Sequence, residues 1–185
     1  MDVIRGEAKI ETKKFLERMN PGITIPALTE HFDAWTSFHI HFRSGTKKEF
    51  EKGKAKIYVE ENFRDCFFQQ VVRVRGEQTL SSYRLKEFTG DKVIRSELGP
   101  NHEIDLAAVF HLINQQPNGE DGILLTKGFN VFFVINDITK VVQEVTAHWG
   151  DPIFDQNKDS WYVGAGDLGE SHKHGLIFAR NPDNN

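Results

Sequence analysis

The chain has 185 residues and one cysteine, so no disulfide can form within it. A reducing compartment, or a fold that needs no staples, is the expectation. No apolar run approaches the ~20 residues a membrane-spanning helix needs. The opening residues, MDVIRGEAKIETKK, lack the apolar segment of a secretory signal. Basic charge is not in excess either. Lys and Arg number 23 against 27 Asp and Glu, a formal charge of −4, which argues against general nucleic-acid binding because that requires a basic footprint. Linkers rich in Pro or Ser, low-complexity segments and internal repeats are all missing. The sequence is therefore expected to form one soluble, cytoplasmic domain over 1–185.

What is present is aromatic and β-prone. Fifteen Phe concentrate the apolar content in large side chains, enough for a core or an aromatic pocket. Residues 35–43, 55–63, 66–74 and 79–88 alternate apolar and polar side chains and read as four consecutive strands joined by short turns. Strands are expected again at 93–97, 122–126, 130–135, 140–146, 160–164 and 175–180, with Asn136-Asp137 turning the middle pair. Short helices are expected at 14–19 and 24–33, after a helical lead-in over 1–14. The clearest helix spans 104–116, where Leu106, Val109, Phe110 and Ile113 recur at helical spacing. The pattern predicts a mainly β protein, an antiparallel up-and-down β-barrel of the lipocalin or fatty-acid-binding kind with room for one small ligand. A Greek-key sandwich is the competing architecture.

Four chemistries can be weighed on this frame. His39 and His41, and His172 and His174, form two HxH pairs that would point both rings one way on a strand and could hold zinc or copper. Neither pair has an acidic partner at a metal-site spacing, so no metal is assigned. Cys66 begins a run beside Phe67 and Phe68 and reads as a packed thiol, not a nucleophile, and no G-x-S-x-G elbow exists. Residues 164–169 have the form G-x-G-x-x-G, but no βαβ unit follows, which disfavours a dinucleotide site. The fourth is a polar-lined pocket. Arg43, Glu60, Gln69, Arg73 and Tyr83 come from successive strands and would form one ring in a barrel, with Arg available to clamp carboxylates. Trp35, Tyr58, Phe67 and Trp161 would add flat contact area. Ordinary outward-facing polarity explains the same alternation equally well.

The runs YVEENF (58–63), FFQQVVRV (67–74) and SSYRLKEF (81–88) resemble, in order and spacing, the central motifs of the T-type phycobiliprotein lyases, the CpcT/CpeT family. Glu60, Gln69, Val71, Arg73, Tyr83, Leu85 and Lys86 fall on matching positions. FHIHFRS upstream, KGFNVFF downstream and the Trp161 region with GLIFAR are looser likenesses. Phe68, Gln70, Phe129 and Val163-Gly164 depart from the pattern. The resemblance is concentrated in residues 35–90. It implies a ten-stranded lipocalin-like barrel that binds a linear tetrapyrrole, phycocyanobilin or phycoerythrobilin, and delivers it to a cysteine of a phycobiliprotein subunit as lyase or bilin chaperone. Arg residues would hold the propionates and Glu60 would meet the pyrrole N–H groups. The implied ligand-binding set is Arg43, Tyr58, Glu60, Gln69, Arg73, Tyr83 and Trp161, with no intrinsic cofactor and no assigned catalytic residue. Monomer and homodimer both stay open. The alternatives are a non-catalytic carrier of a hydrophobic molecule and a His-ligated metal enzyme.

Overall fold

The computed structural model describes residues 14–39, 55–87, 89–150, 159–166 and 175–181. In chain order the elements are β1 (Leu16–Ile25), β2 (Phe32–Asp33), α1 (Ala34–His39), β3 (Ile57–Val59), α2 (Glu61–Phe67), β4 (Val71–Val72) and β5 (Gln78–Leu85). They are followed by α3 (Asp91–Leu98), α4 (Leu106–Asn114), β6 (Asn130–Ile135), β7 (Val142–Trp149), β8 (Trp161–Gly166) and β9 (Leu176–Arg180). The protein is mainly β, as expected. It is not the expected up-and-down barrel. Seven strands form one mixed sheet in the order β1-β5-β9-β6-β7-β8-β3, and β2 and β4 form a separate pair. Pairings β6–β9 and β3–β8 are parallel, which hairpins cannot produce. Among the described residues the two ends of the sheet, β1 and β3, do not pair, so it stays open.

The reason lies in the central strands. All but the last residue of β6 (NVFFVI) and of β9 (LIFAR) is buried, the near-continuous pattern of strands covered on both faces. On one face Phe132, Phe178, Val145, Trp161 and Val163 pack with Phe63, Phe67, Leu106 and Val109 of α2 and α4. On the other, Val131, Phe133, Ile177 and Ala179 pack with Ile94 and Leu98 of α3. Each fully buried side chain of this size contributes roughly 1.5–3 kcal/mol. A barrel wall would have left one face of these strands to another environment.

Several expected elements change type. The strand expected at 35–43 begins as α1: Asp33 Oδ1 accepts from the Thr36 backbone N–H at 2.6 Å, an N-cap, and Ala34 and Phe38, four apart, are both fully buried. The strand expected at 55–63 stops at Val59, and α2 follows because Phe63 and Phe67 share one buried helical face. Only Val71 and Val72 of the strand expected at 66–74 pair. The expected strand at 93–97 is α3, again with a buried pair four apart, Ile94 and Leu98. In the other direction, the helices expected at 14–19 and 24–33 give way to β1 and β2. Leu16, Ile23 and Ile25 are buried in β1, whose register shifts around Asn20. The helix expected at 104–116 and the strands near 79–88, 130–135, 140–146, 160–164 and 175–180 are present within a few residues. The lead-in over 1–14 lies almost wholly outside the described residues.

Residues 122–126 form no strand. Two buried amides hold them instead. Gln116 accepts from the Leu124 N–H at 2.7 Å and donates to its carbonyl at 3.1 Å. Asn130 does the same for Leu125 at 2.8 and 3.0 Å. Each side chain supplies the donor and acceptor a neighbouring strand would have offered.

The start of α4 is tied to the sheet end. Asp105 caps the helix by accepting from the Ala108 N–H at 2.8 Å. It also pairs with the Arg75 guanidinium, both side chains being largely buried. His111, further along α4, has its pKa held below the usual 6.5 by burial and then by the positive charge of Arg75. A histidine depressed in the folded state is protonated more readily when unfolded. Stability is therefore fully present above pH 6.5 and declines as pH falls below it. His111→Gln is expected to flatten that decline in urea denaturation measured across the window; an unchanged slope would refute the assignment.

Candidate functional site

The polar features that the topology gathers lie where β7, β8 and β3 meet. Tyr58 and Tyr162 are register partners across the parallel β3–β8 pair, and Tyr162 and His148 are partners across β7–β8. Their rings form a row: Tyr58 to Tyr162 at 5.1 Å, Tyr162 to His148 at 5.4 Å with nearly parallel planes, and His148 to Phe129 at 5.1 Å. Tyr162 is buried, while Tyr58 and Phe129 at the two ends are 40% and 44% exposed. Ring pairs at this spacing hold one another's orientation.

Two carboxylates flank the row, and two glycines make room for them. A methyl group at Gly164 would collide with the Glu60 carboxylate, and one at Gly166 would sit 3.3 Å from Glu144 Oε1. The G-x-G of residues 164–166 thus serves close approach of acidic side chains, not of a phosphate. Glu60 stands at the N-cap position of α2, yet its side chain makes no capping bond. Its backbone instead extends the β3–β8 pairing by donating to the Val163 carbonyl at 2.9 Å. The carboxylate is exposed. Asn62 locks the same corner: its side-chain amide donates to the Ala165 carbonyl, and its Oδ1 accepts from the Ala165 N–H at 3.3 Å. Glu144, by contrast, is 98% buried, being only 2% exposed.

Of the seven expected ligand residues, the structure brings two together, Tyr58 and Glu60. Arg43 lies outside the described residues. Trp161 is fully buried on the opposite face of the sheet, where its indole N–H donates to the Gln116 carbonyl at 2.8 Å; it is core. Gln69 is exposed in the turn after α2, and Arg73 is exposed just past β4, beside Asp137, Ile138 and Lys140 of the β6–β7 turn. Tyr83 packs partly buried against the second core. Register carries one row from Tyr83 through Ile177, Val131 and Thr146 to Gly164, beside Glu60. In an open sheet that row spans five inter-strand steps, about 24 Å at the usual spacing. The ring expected of a barrel is a line here.

Glu144, Thr146 and His148 were not singled out by sequence reasoning, although they sit at every second position of β7. The metal hypothesis loses its premise at His39, which ends helix α1 rather than lying on a strand. His41, His172 and His174 lie outside the described residues, and the described residues contain no cluster of three or more metal-ligating side chains. Cys66 is a free, half-buried thiol that accepts from Gln143 Nε2 at 3.1 Å. No described helix is long and apolar enough to cross a membrane. No family model, no curated protein and no solved structure matches this chain.

Proposed function

We propose that the chain binds a planar, conjugated small molecule with N–H donors at the β3–β8 corner, and that a linear tetrapyrrole is the ligand class. The observation that carries this is the exposed Glu60 carboxylate, which makes no capping bond and stands against Gly164 beside an aromatic row. A carboxylate accepts several hydrogen bonds at once, as the pyrrole N–H groups of a bilin would require. The exposed Tyr58 ring beside it offers apolar contact to a flat ligand. The motif resemblance at 58–63, which includes Tyr58 and Glu60, supports the same ligand. On this reading the protein holds phycocyanobilin or phycoerythrobilin in one conformation for attachment to a cysteine of a phycobiliprotein subunit. It acts by positioning, as lyase or chaperone. No barrel lumen is needed for this. A free thiol fits the reducing cytoplasm in which such transfer would occur.

Titrating the purified protein with phycocyanobilin should shift and sharpen the visible absorption band. Glu60→Gln should weaken binding about tenfold, the loss of one charge-assisted hydrogen bond. A spectrum unchanged by either bilin rules out the ligand class. Binding that survives Glu60→Gln and Tyr58→Ala moves the site elsewhere.

A further inference from the structure

A second surface, independent of the bilin reading, lies at the short strand pair β2–β4. A groove of about 440 Å³ runs between Val71 and Arg73 on one side and Asp137, Ile138 and Lys140 of the β6–β7 turn on the other. The turn is pinned by the buried Asn136. Its Oδ1 accepts from the Ile138 and Thr139 N–H groups at 2.9 and 3.0 Å, and its Nδ2 donates to the Cys66 carbonyl at 2.7 Å. Ile138 is nevertheless 60% exposed, and Val71 is 44% exposed. Two large apolar side chains thus stay in water at one groove, on backbone that is held in place.

The strand wall has a free edge. Ala34 N–H donates to the Gln70 carbonyl at 3.1 Å, so Val71, next along and opposite Asp33, holds the non-hydrogen-bonded position of the pair. Its N–H and C=O therefore point away from β2, and β4 pairs with no other strand among the described residues. Such an edge is a template for one more strand. Charge selects what that strand carries. Lys140 is offset by Asp137 at 3.7 Å, and Asp33 Oδ1 accepts from the Thr36 N–H at 2.6 Å. Arg73 is exposed and has no ion pair or hydrogen bond among the described residues. The groove is apolar with one unanswered cation.

We propose that β4 docks an extended acidic–apolar segment of a partner protein, added antiparallel to its free edge. One residue of the segment exchanges both backbone hydrogen bonds with Val71 and lays an apolar side chain against Val71 and Ile138. The residue two positions earlier shares that face and lies beside Arg73, where a Glu carboxylate pairs with the guanidinium.

The probe is the blocked heptapeptide Thr-Thr-Glu-Thr-Leu-Thr-Thr, titrated into ¹⁵N-labelled protein. It should shift the amides of residues 71–74 and 137–141, with Kd on the order of 1 mM. Arg73→Gln should weaken the peptide about tenfold, the loss of one charge-assisted pair. A peptide with Gln in place of Glu should bind the parent and Arg73→Gln equally, which a merely structural role for Arg73 would not produce. Methylating the Leu nitrogen should abolish binding, because that N–H meets the Val71 carbonyl. Equal binding of the Glu and Gln peptides to the parent would overturn the acidic assignment, and undiminished binding of the methylated peptide would overturn strand addition. Absence of shifts at about 10 mM peptide, well above millimolar affinity, would overturn the surface. Movement of the same amides as protein concentration rises without peptide would assign the edge to a second copy of this chain and overturn the peptide proposal.

Discussion

Replacing Trp161 with alanine is expected to destabilise the protein by about 3–5 kcal/mol, the cost of emptying a fully buried aromatic position. Trp161 is 0% exposed, contacts Trp149 edge-on at 5.5 Å, and donates its indole N–H to the Gln116 carbonyl. Loss of the ring opens a cavity between β8 and the end of α4, and it removes one of the two bonds to the Gln116 carbonyl, which keeps the Gly119 N–H at 3.1 Å. Trp161→Phe keeps most of the volume and isolates the second effect, about 0.5–1.5 kcal/mol for one lost hydrogen bond. Urea denaturation with circular dichroism reads both. The pair also tests the assignment of Trp161 to the core: Trp161→Phe should leave bilin titrations unchanged while lowering the unfolding midpoint. A variant as stable as the parent but defective in ligand binding would return Trp161 to the site.

How much of this fold was legible depends on which half of the chain is considered. The strands near 130–135, 140–146 and 175–180 are plain in sequence, but their meaning was not. VFFV and LIFA are unbroken apolar runs, and an unbroken run marks a strand buried on both faces. That feature already disfavours a wall with one ligand-facing or solvated side. In the first half, short runs rich in Phe and Val fit strand and helix equally. The deciding signals were pairs four apart, Ala34 with Phe38 and Phe63 with Phe67, together with Asp33 placed to cap. The edge strand β1 was hidden by Asn20-Pro21-Gly22, which breaks helices but also fits an irregular edge.

The site was legible only in part because period-two alternation fixes a side chain's face and nothing about its neighbour strand. Tyr58 and Glu60 could be placed on one face, as could Glu144, Thr146 and His148. That β3 would pair in parallel with β8, a hundred residues later, has no local signature. Without that pairing the glycines at 164 and 166 read as a weak phosphate motif. With it, Gly164 is the gap that admits Glu60, as Gly166 is for Glu144 across the β7–β8 pair.

Asp105→Ala is expected to cost roughly 2–4 kcal/mol, less than the loss of one partner from a fully buried ion pair because the Arg75 side chain keeps some access to water. Three interactions end with that carboxylate: the cap on Ala108, the pair with Arg75 and the bond from Gln78. The cap alone accounts for about 0.5–2 kcal/mol. The remainder comes from leaving the Arg75 guanidinium, 15% exposed, without its counter-charge. Asp105→Asn separates the two contributions. Asparagine caps helices as well as aspartate does, so its cost measures the lost charge, and the expected value is about half that of alanine. Guanidinium chloride would screen the very interaction in question, so urea is the denaturant of choice. Equal stability of all three proteins would mean that the Arg75–Asp105 pair does not anchor α4 to the sheet.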